Sequence, residues 1–191
     1  YLLQEHILQP YLRSTDTLLV ASNYTWGVYR RLFPKLVNHP VSICYPLTIG
    51  FPQVRPEEKN KATEEKSVTI LGYLGRLSED KNFLEVIDTL IELNRIQPNG
   101  YRLIACGQIH SSSCEYEVLN ARITSQLGYC PFEYLPACEN DEIWQLLAKF
   151  DVLLFPSTSN LETLGRVLVV ASFARVPVLS GNHAAAEELV E

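Results

Sequence analysis

The sequence predicts the α/β fold class, a parallel sheet with helices packed on both of its faces. Three observations carry that expectation. From Ser67 onward, five short apolar runs alternate with segments of helical periodicity at a steady pitch. The most apolar runs, Val68 to Tyr73, Arg102 to Cys106 and Val152 to Phe155, lack apolar–polar alternation, so both faces of each strand are expected to be buried. The composition, 47% apolar and 20% charged over 191 residues, supports a real core and excludes a disordered chain.

The elements follow in order. Tyr1 to Leu8 reads as the middle of a helix. Residues 17 to 22 form a buried strand ending where Ser22 or Asn23 can cap a helix over Tyr24 to Phe33, which Pro34 stops. Val41 to Tyr45 is short and β-branched, and Pro46, Pro52 and Pro56 then keep the backbone extended. Pro56 to Lys66 is charged, has no apolar period and marks a domain boundary.

Beyond that boundary the strand Val68 to Tyr73, the helix Asn82 to Gln97 and the strand Arg102 to Cys106 make one β-α-β unit. Next come a helix over Glu115 to Leu127, a weaker strand over Phe132 to Leu135 and a helix over Asp141 to Lys149 capped by Asn140 or Asp141. The strand Val152 to Phe155, the helix Leu164 to Ala174 and the strand Val176 to Ser180 complete the alternation. From the absence of Met, the mid-helix start and a helical pattern that breaks off over Glu187 to Glu191, the chain is expected to be a segment of a longer protein. Its expected divisions are residues 1–55, a boundary at 56–66 and a sheet domain over 67–191.

Charge and cysteines bound the function. The net charge of −6 argues against broad binding to nucleic acid or to an anionic membrane, both of which need a basic face, and leaves membrane association of the full-length protein open but unsupported. No apolar run approaches the roughly 20 residues of a membrane helix, and no signal peptide is visible. Cys44, Cys106, Cys114, Cys130 and Cys138 are odd in number, without metal-ligand spacing, and read as thiols of a reduced cytoplasmic chain. His6, His39, His110 and His183 occupy loops or segment ends and define no catalytic role.

In a parallel sheet of this kind the ligand lies beyond the carboxyl ends of the strands. Four loops are therefore of interest: Gly75 to Asn82, Gly107 to Cys114, Pro136 to Asp141 and Pro156 to Gly165. In the first, Arg76 and Lys81 set a guanidinium fork and an ammonium five residues apart, which suits a diphosphate. Pairing of Lys81 with Glu79 or Asp80 on a solvated turn accounts equally well for the spacing. The loop is neither a Walker loop nor a dinucleotide fingerprint.

In the fourth loop the amides of Leu164 and Gly165 would open a helix N-terminus suited to an anion. Glu162 at that mouth is placed to accept hydrogen bonds from neutral hydroxyls, as a sugar offers. As a capping acid it would instead complement the helix dipole, the account that local sequence favours.

Four runs in register now matter together: Gly75-Arg76-Leu77-Ser78-Glu79-Asp80-Lys81-Asn82, Phe150 to Ser157, Glu162-Thr163-Leu164-Gly165, and Ala171 to Val178. In order and spacing they resemble the C-terminal, Rossmann-like half of GT-B glycosyltransferases, most closely the retaining family 4 (glycosyl transferases group 1). Residues 1–55 look like the tail of that family's N-terminal domain and the interdomain linker.

The resemblance implies a nucleotide-diphosphate sugar donor, a UDP-, GDP- or ADP-sugar, and a sugar, lipid or small-molecule acceptor. Arg76 and Lys81 match the catalytic pair that holds the donor diphosphate, Glu162 the acid placed against donor-sugar hydroxyls, and Leu164 and Gly165 the helix start whose amides touch the donor; Thr163, between them, is implied to be donor-binding as well. No metal and no separate cofactor is implied, since the cations stabilise the leaving diphosphate. The isolated segment is expected to be inactive, because the active cleft lies between two domains.

Two positions depart from the pattern. Val170 stands where the family's second Glu would bind the ribose, and Arg175 replaces a Gly before Val176-Pro177. Two alternatives follow: a nucleotide-sugar epimerase or phosphorylase-like enzyme of the same fold, or a non-catalytic nucleotide-binding or interaction module.

Overall fold

The computed structural model describes residues 11–45, 68–158, 162, 164–182 and 185–189. The expected helix over Tyr1 to Leu8 and the boundary at 56–66 lie outside these residues. Strand β1 (Leu18–Val20) leads into helix α1 (Asn23–Leu32), and β2 (Val41–Ile43) pairs parallel with β1. Ser22, in extended conformation, caps α1 by accepting a hydrogen bond from the Thr25 amide at 3.0 Å, as its residue type predicts. Pro34 opens a short 3-10 turn over Pro34–Asn38.

A five-stranded parallel sheet forms from β3 (Thr69–Leu74), β4 (Tyr101–Cys106), β5 (Phe132–Leu135), β6 (Val152–Phe155) and β7 (Val178–Ser180). Its order is β5-β4-β3-β6-β7, so the chain works outward from β3, returns, and continues from β6 on the other side. The connecting helices are α2 (Phe83–Ile96), α3 (Tyr116–Leu127), α4 (Asn140–Leu147) and α5 (Arg166–Phe173).

Both sheet faces are buried, as the missing alternation predicts. Leu71 and Tyr73 of β3 join Leu103 and Ala105 of β4 beneath α2 and α3, packing on Phe83, Ile87, Leu90, Leu119 and Ile123. The intervening Leu74, Ile104 and Cys106 face the opposite way, onto Leu147, Phe150 and Ala171. Period-2 side-chain placement thus serves two apolar layers at once. Buried Asn94 locks the end of α2 to β4: its Nδ2 donates to the Leu90 and Tyr101 carbonyls, both at 3.0 Å.

Two helix starts differ from expectation. Helix α4 is capped by Glu139, not Asn140 or Asp141, in a capping box with Glu142 that serves the same orphan amides. Helix α5 begins at Arg166 instead of Leu164, because Gly165 occupies the N-cap in the left-handed conformation (φ 76°). Among the described residues no helix is long and apolar enough to cross a membrane.

Candidate functional site

The strand order reverses between β3 and β6, and a crevice opens at such a point beyond the carboxyl ends. The loops that leave these two strands are the ones that carry Arg76 with Lys81 and Glu162 with Gly165. Topology brings together what lies 81 residues apart in sequence: the Lys81 ammonium forms an ion pair with the Glu162 carboxylate. Both side chains are less than one fifth exposed, at 18% and 19%. The turn pairing of Lys81 with Glu79 or Asp80 is not what the structure adopts.

Asn82 reinforces the junction. It holds a left-handed conformation (φ 52°) at the start of α2, and its Nδ2 donates to the Pro156 carbonyl at 3.1 Å and to Thr158 Oγ1 at 3.0 Å. The sequence places Asn82 at the helix start, but its reach to the loop after β6 depends on the fold.

The loop after β4 joins the same cluster. Glu79 Oε1 accepts from Ser113 Oγ at 2.7 Å, and Leu77 and Ile109 bridge the two loops. The Leu77 amide donates to Gln108 O at 2.8 Å, and the His110 amide to Leu77 O at 3.0 Å. Gly107 permits this approach, since a Cβ there would lie 1.8 Å from the Gly75 carbonyl oxygen.

Arg76 sits differently from Lys81. Its guanidinium donates to Asp80 at 3.0 Å with both side chains about half exposed, at 49% and 54%. Its carbonyl accepts from the Tyr73 hydroxyl at 2.7 Å, which fixes the backbone while the side chain stays at the surface. Asp80 is held below the usual carboxylate range, first by the Ser78 hydroxyl and then by the Arg76 and Lys81 charges.

On the β6 side, Leu164 is buried and precedes the helix, so its amide is not a helix-terminal one. The α5 N-terminus is built from Gly165 as cap and Arg166 as first helical residue, a shift of the helix-terminal amides that follows from Gly165 being left-handed. A glycine cap also brings no side-chain acceptor to those amides. The Ser157 hydroxyl, in a residue 1% exposed, has no hydrogen-bond partner among the described residues. Thr163 lies outside the described residues.

Val170 packs against the apolar layer of Leu147, Phe150 and Ala171. Arg175 adopts a left-handed conformation (φ 55°), the geometry for which the resemblance expects Gly. Among the described residues no group of three or more His, Cys, Asp or Glu side chains is arranged to hold a metal ion.

Solved structures share this architecture. The chain is 22% identical to Anabaena HepE in complex with UDP and glucose, with a TM-score of 0.63 over 91% of this chain and 46% of that one. It is 19% identical to the pneumococcal O-GlcNAc transferase GtfA in complex with UDP and GlcNAc (TM-score 0.67; 92% and 32%). It is 20% identical to WaaG, a glycosyltransferase involved in lipopolysaccharide biosynthesis (TM-score 0.65; 90% and 46%). The chain thus spans about a third to a half of the length of these proteins. No curated protein matches it at a significant level. The family model for glycosyl transferases group 1 matches residues 54–191, and the chain belongs to that family.

Proposed function

We propose that this chain is the donor-binding portion of a retaining glycosyltransferase, taking a UDP-, GDP- or ADP-sugar and passing the sugar to an acceptor held by another domain. The observation that carries the reading is the Lys81–Glu162 pair at the strand-order reversal. It holds a cation for a diphosphate and a carboxylate for sugar hydroxyls in one place. Arg76 supplies the second cation, and Gly165 with the α5 N-terminus supplies backbone amides; Leu164 and Thr163 complete the run. Preorganised positive charge stabilises the departing diphosphate without a protein nucleophile.

In this reading residues 67–191 form the donor domain and residues 1–55 belong to its N-terminal neighbour. A reducing cytoplasmic setting agrees with five free cysteines.

Calorimetric titration with UDP, GDP and ADP tests the site. At least one nucleotide binds in the micromolar to millimolar range, and Lys81→Ala weakens it about tenfold or more, roughly 1.4 kcal/mol. The diphosphate assignment fails if none binds or if the substitution leaves affinity unchanged.

Val170 favours one other reading, a nucleotide-binding module without turnover, because an apolar side chain on the core supplies no acceptor for ribose hydroxyls. Transfer of a labelled sugar by the full-length protein separates the two.

A further inference from the structure

Cys106 ends β4, and Cys138 lies in the loop between β5 and α4. The β4–β5 register sets Cys106 beside Leu135, and the chain then folds back over it. The Gly107 amide donates to Leu135 O at 3.1 Å, and the Cys106 thiol donates to Pro136 O at 3.1 Å. This return places the two sulfurs 3.2 Å apart. Among the described residues it is the one cysteine pair in such contact, and it lies at the carboxyl edge of the sheet, between the last residue of β4 and the third of the four loops.

We propose that Cys106 and Cys138 form an oxidisable dithiol, which a low-molecular-mass disulfide converts into an intrachain disulfide tying β4 to the loop that enters α4. Cys138, half-buried, is the accessible member, whereas Cys106 is 4% exposed. Cys138 therefore reacts first. It loses its proton to solvent, and its thiolate attacks the oxidant RSSR, forming a Cys138–SR mixed disulfide and releasing RS⁻. Cys106 then attacks the Cys138 sulfur, its proton passing to the departing second thiolate. The two protein thiols lose two electrons in all, and RSSR gains them as two RSH.

Burial pushes the Cys106 thiol up to about 12, and the Cys138 thiol beside it adds to the rise. Cys106 thus persists as a thiol until the mixed disulfide forms next to it. Closure to the ordinary S–S length of about 2.0 Å asks for a movement of about 1.2 Å from the observed separation.

The dithiol stands independently of the donor reading, because it is read chemically and not through nucleotide binding. The full chain, incubated with oxidised glutathione, should lose about two mass units. Fragmentation of its peptides should join Cys106 to Cys138, and dithiothreitol should reverse the change. Cys138→Ser abolishes the crosslinked species, and Cys106→Ala instead accumulates a glutathione adduct on Cys138. The proposal is overturned if no crosslink forms, if Cys44, Cys114 or Cys130 is the partner, or if the crosslinked species persists in Cys138→Ser.

Discussion

Glu162 and Glu188 are both partly buried carboxylates that join distant segments, yet their partners differ in kind. Glu188, in a 3-10 turn over Ala186–Glu188, accepts from the Asn23 amide (2.9 Å), Asn23 Nδ2 (3.0 Å), the Tyr24 amide (2.8 Å) and the Tyr45 hydroxyl (3.0 Å). Those amides are the first two of α1, and Ser22 already satisfies the next. Glu162 instead pairs with the Lys81 ammonium. Neutral donors at a helix start fix a carboxylate in place, whereas an ion pair can be exchanged for another anion. The first arrangement builds the fold, and the second leaves a cation that a ligand can claim.

The largest effect should therefore come from breaking Glu188. Glu188→Ala removes the acceptor from four donors and the negative charge from a helix N-terminus, a loss of about 2 kcal/mol in urea unfolding. Glu162→Ala should cost about 1 kcal/mol or less, since Lys81 can turn toward solvent. Hydrogen exchange at the Asn23 and Tyr24 amides should quicken in the first variant and stay unchanged in the second. Equal losses in the two variants would dissolve the contrast.

Acid should act in the same direction. Burial alone would raise the Glu188 carboxyl, but the Tyr24 and Asn23 amides, with the Tyr45 hydroxyl, outweigh it and hold the group below its ordinary value of 4.5. A carboxyl depressed in the folded state contributes stability that is fully present above the unfolded value and is lost as pH falls through the folded one. Unfolding free energy should decline below about pH 4.5, and the decline should be shallower in Glu188→Gln than in the parent chain. The Tyr45 hydroxyl is correspondingly pushed up, first by its hydrogen bond to Glu188.

On the binding side the order inverts. Glu162→Gln removes the anion that competes for Lys81, so a bare nucleoside diphosphate should bind about threefold more tightly, close to 0.6 kcal/mol. Nucleotide affinity should be unmoved in Glu188→Gln. Weaker binding in Glu162→Gln would mean that the carboxylate positions Lys81 and does not compete for it.

These contrasts mark how far the sequence could be read. Apolar runs without alternation and helical spacing identify the sheet and its helices, because both report on burial, which acts along the whole element. The helix starts at Glu139 and Gly165 escape, because a cap depends on one residue's backbone conformation. Arg76, Lys81 and Glu162 are legible as residue types in loops. Which donor meets which acid is not, because the Lys81–Glu162 and Asn23–Glu188 pairings span 81 and 165 residues and exist only through the order of strands and the return of the chain. The Cys106–Cys138 contact escapes for the same reason, since no spacing rule joins residues 32 apart.

Arg76 should give the smallest stability change and, for that reason, the sharpest test of division of labour at the site. Its pairing with Asp80 is half exposed at both ends, and an ion pair in that setting contributes little because water and salt screen it. The backbone that shapes the loop is held by the Tyr73 hydroxyl on the Arg76 carbonyl, which substitution leaves in place. Arg76→Ala should thus change unfolding free energy by less than about 0.5 kcal/mol. In the proposed donor reading the side chain acts only when a diphosphate arrives to replace Asp80, so the same variant should weaken nucleotide binding severalfold, and more so at low salt. A variant that lost stability and binding in equal measure would make Arg76 a structural residue, leaving Lys81 as the cation on which the donor site depends.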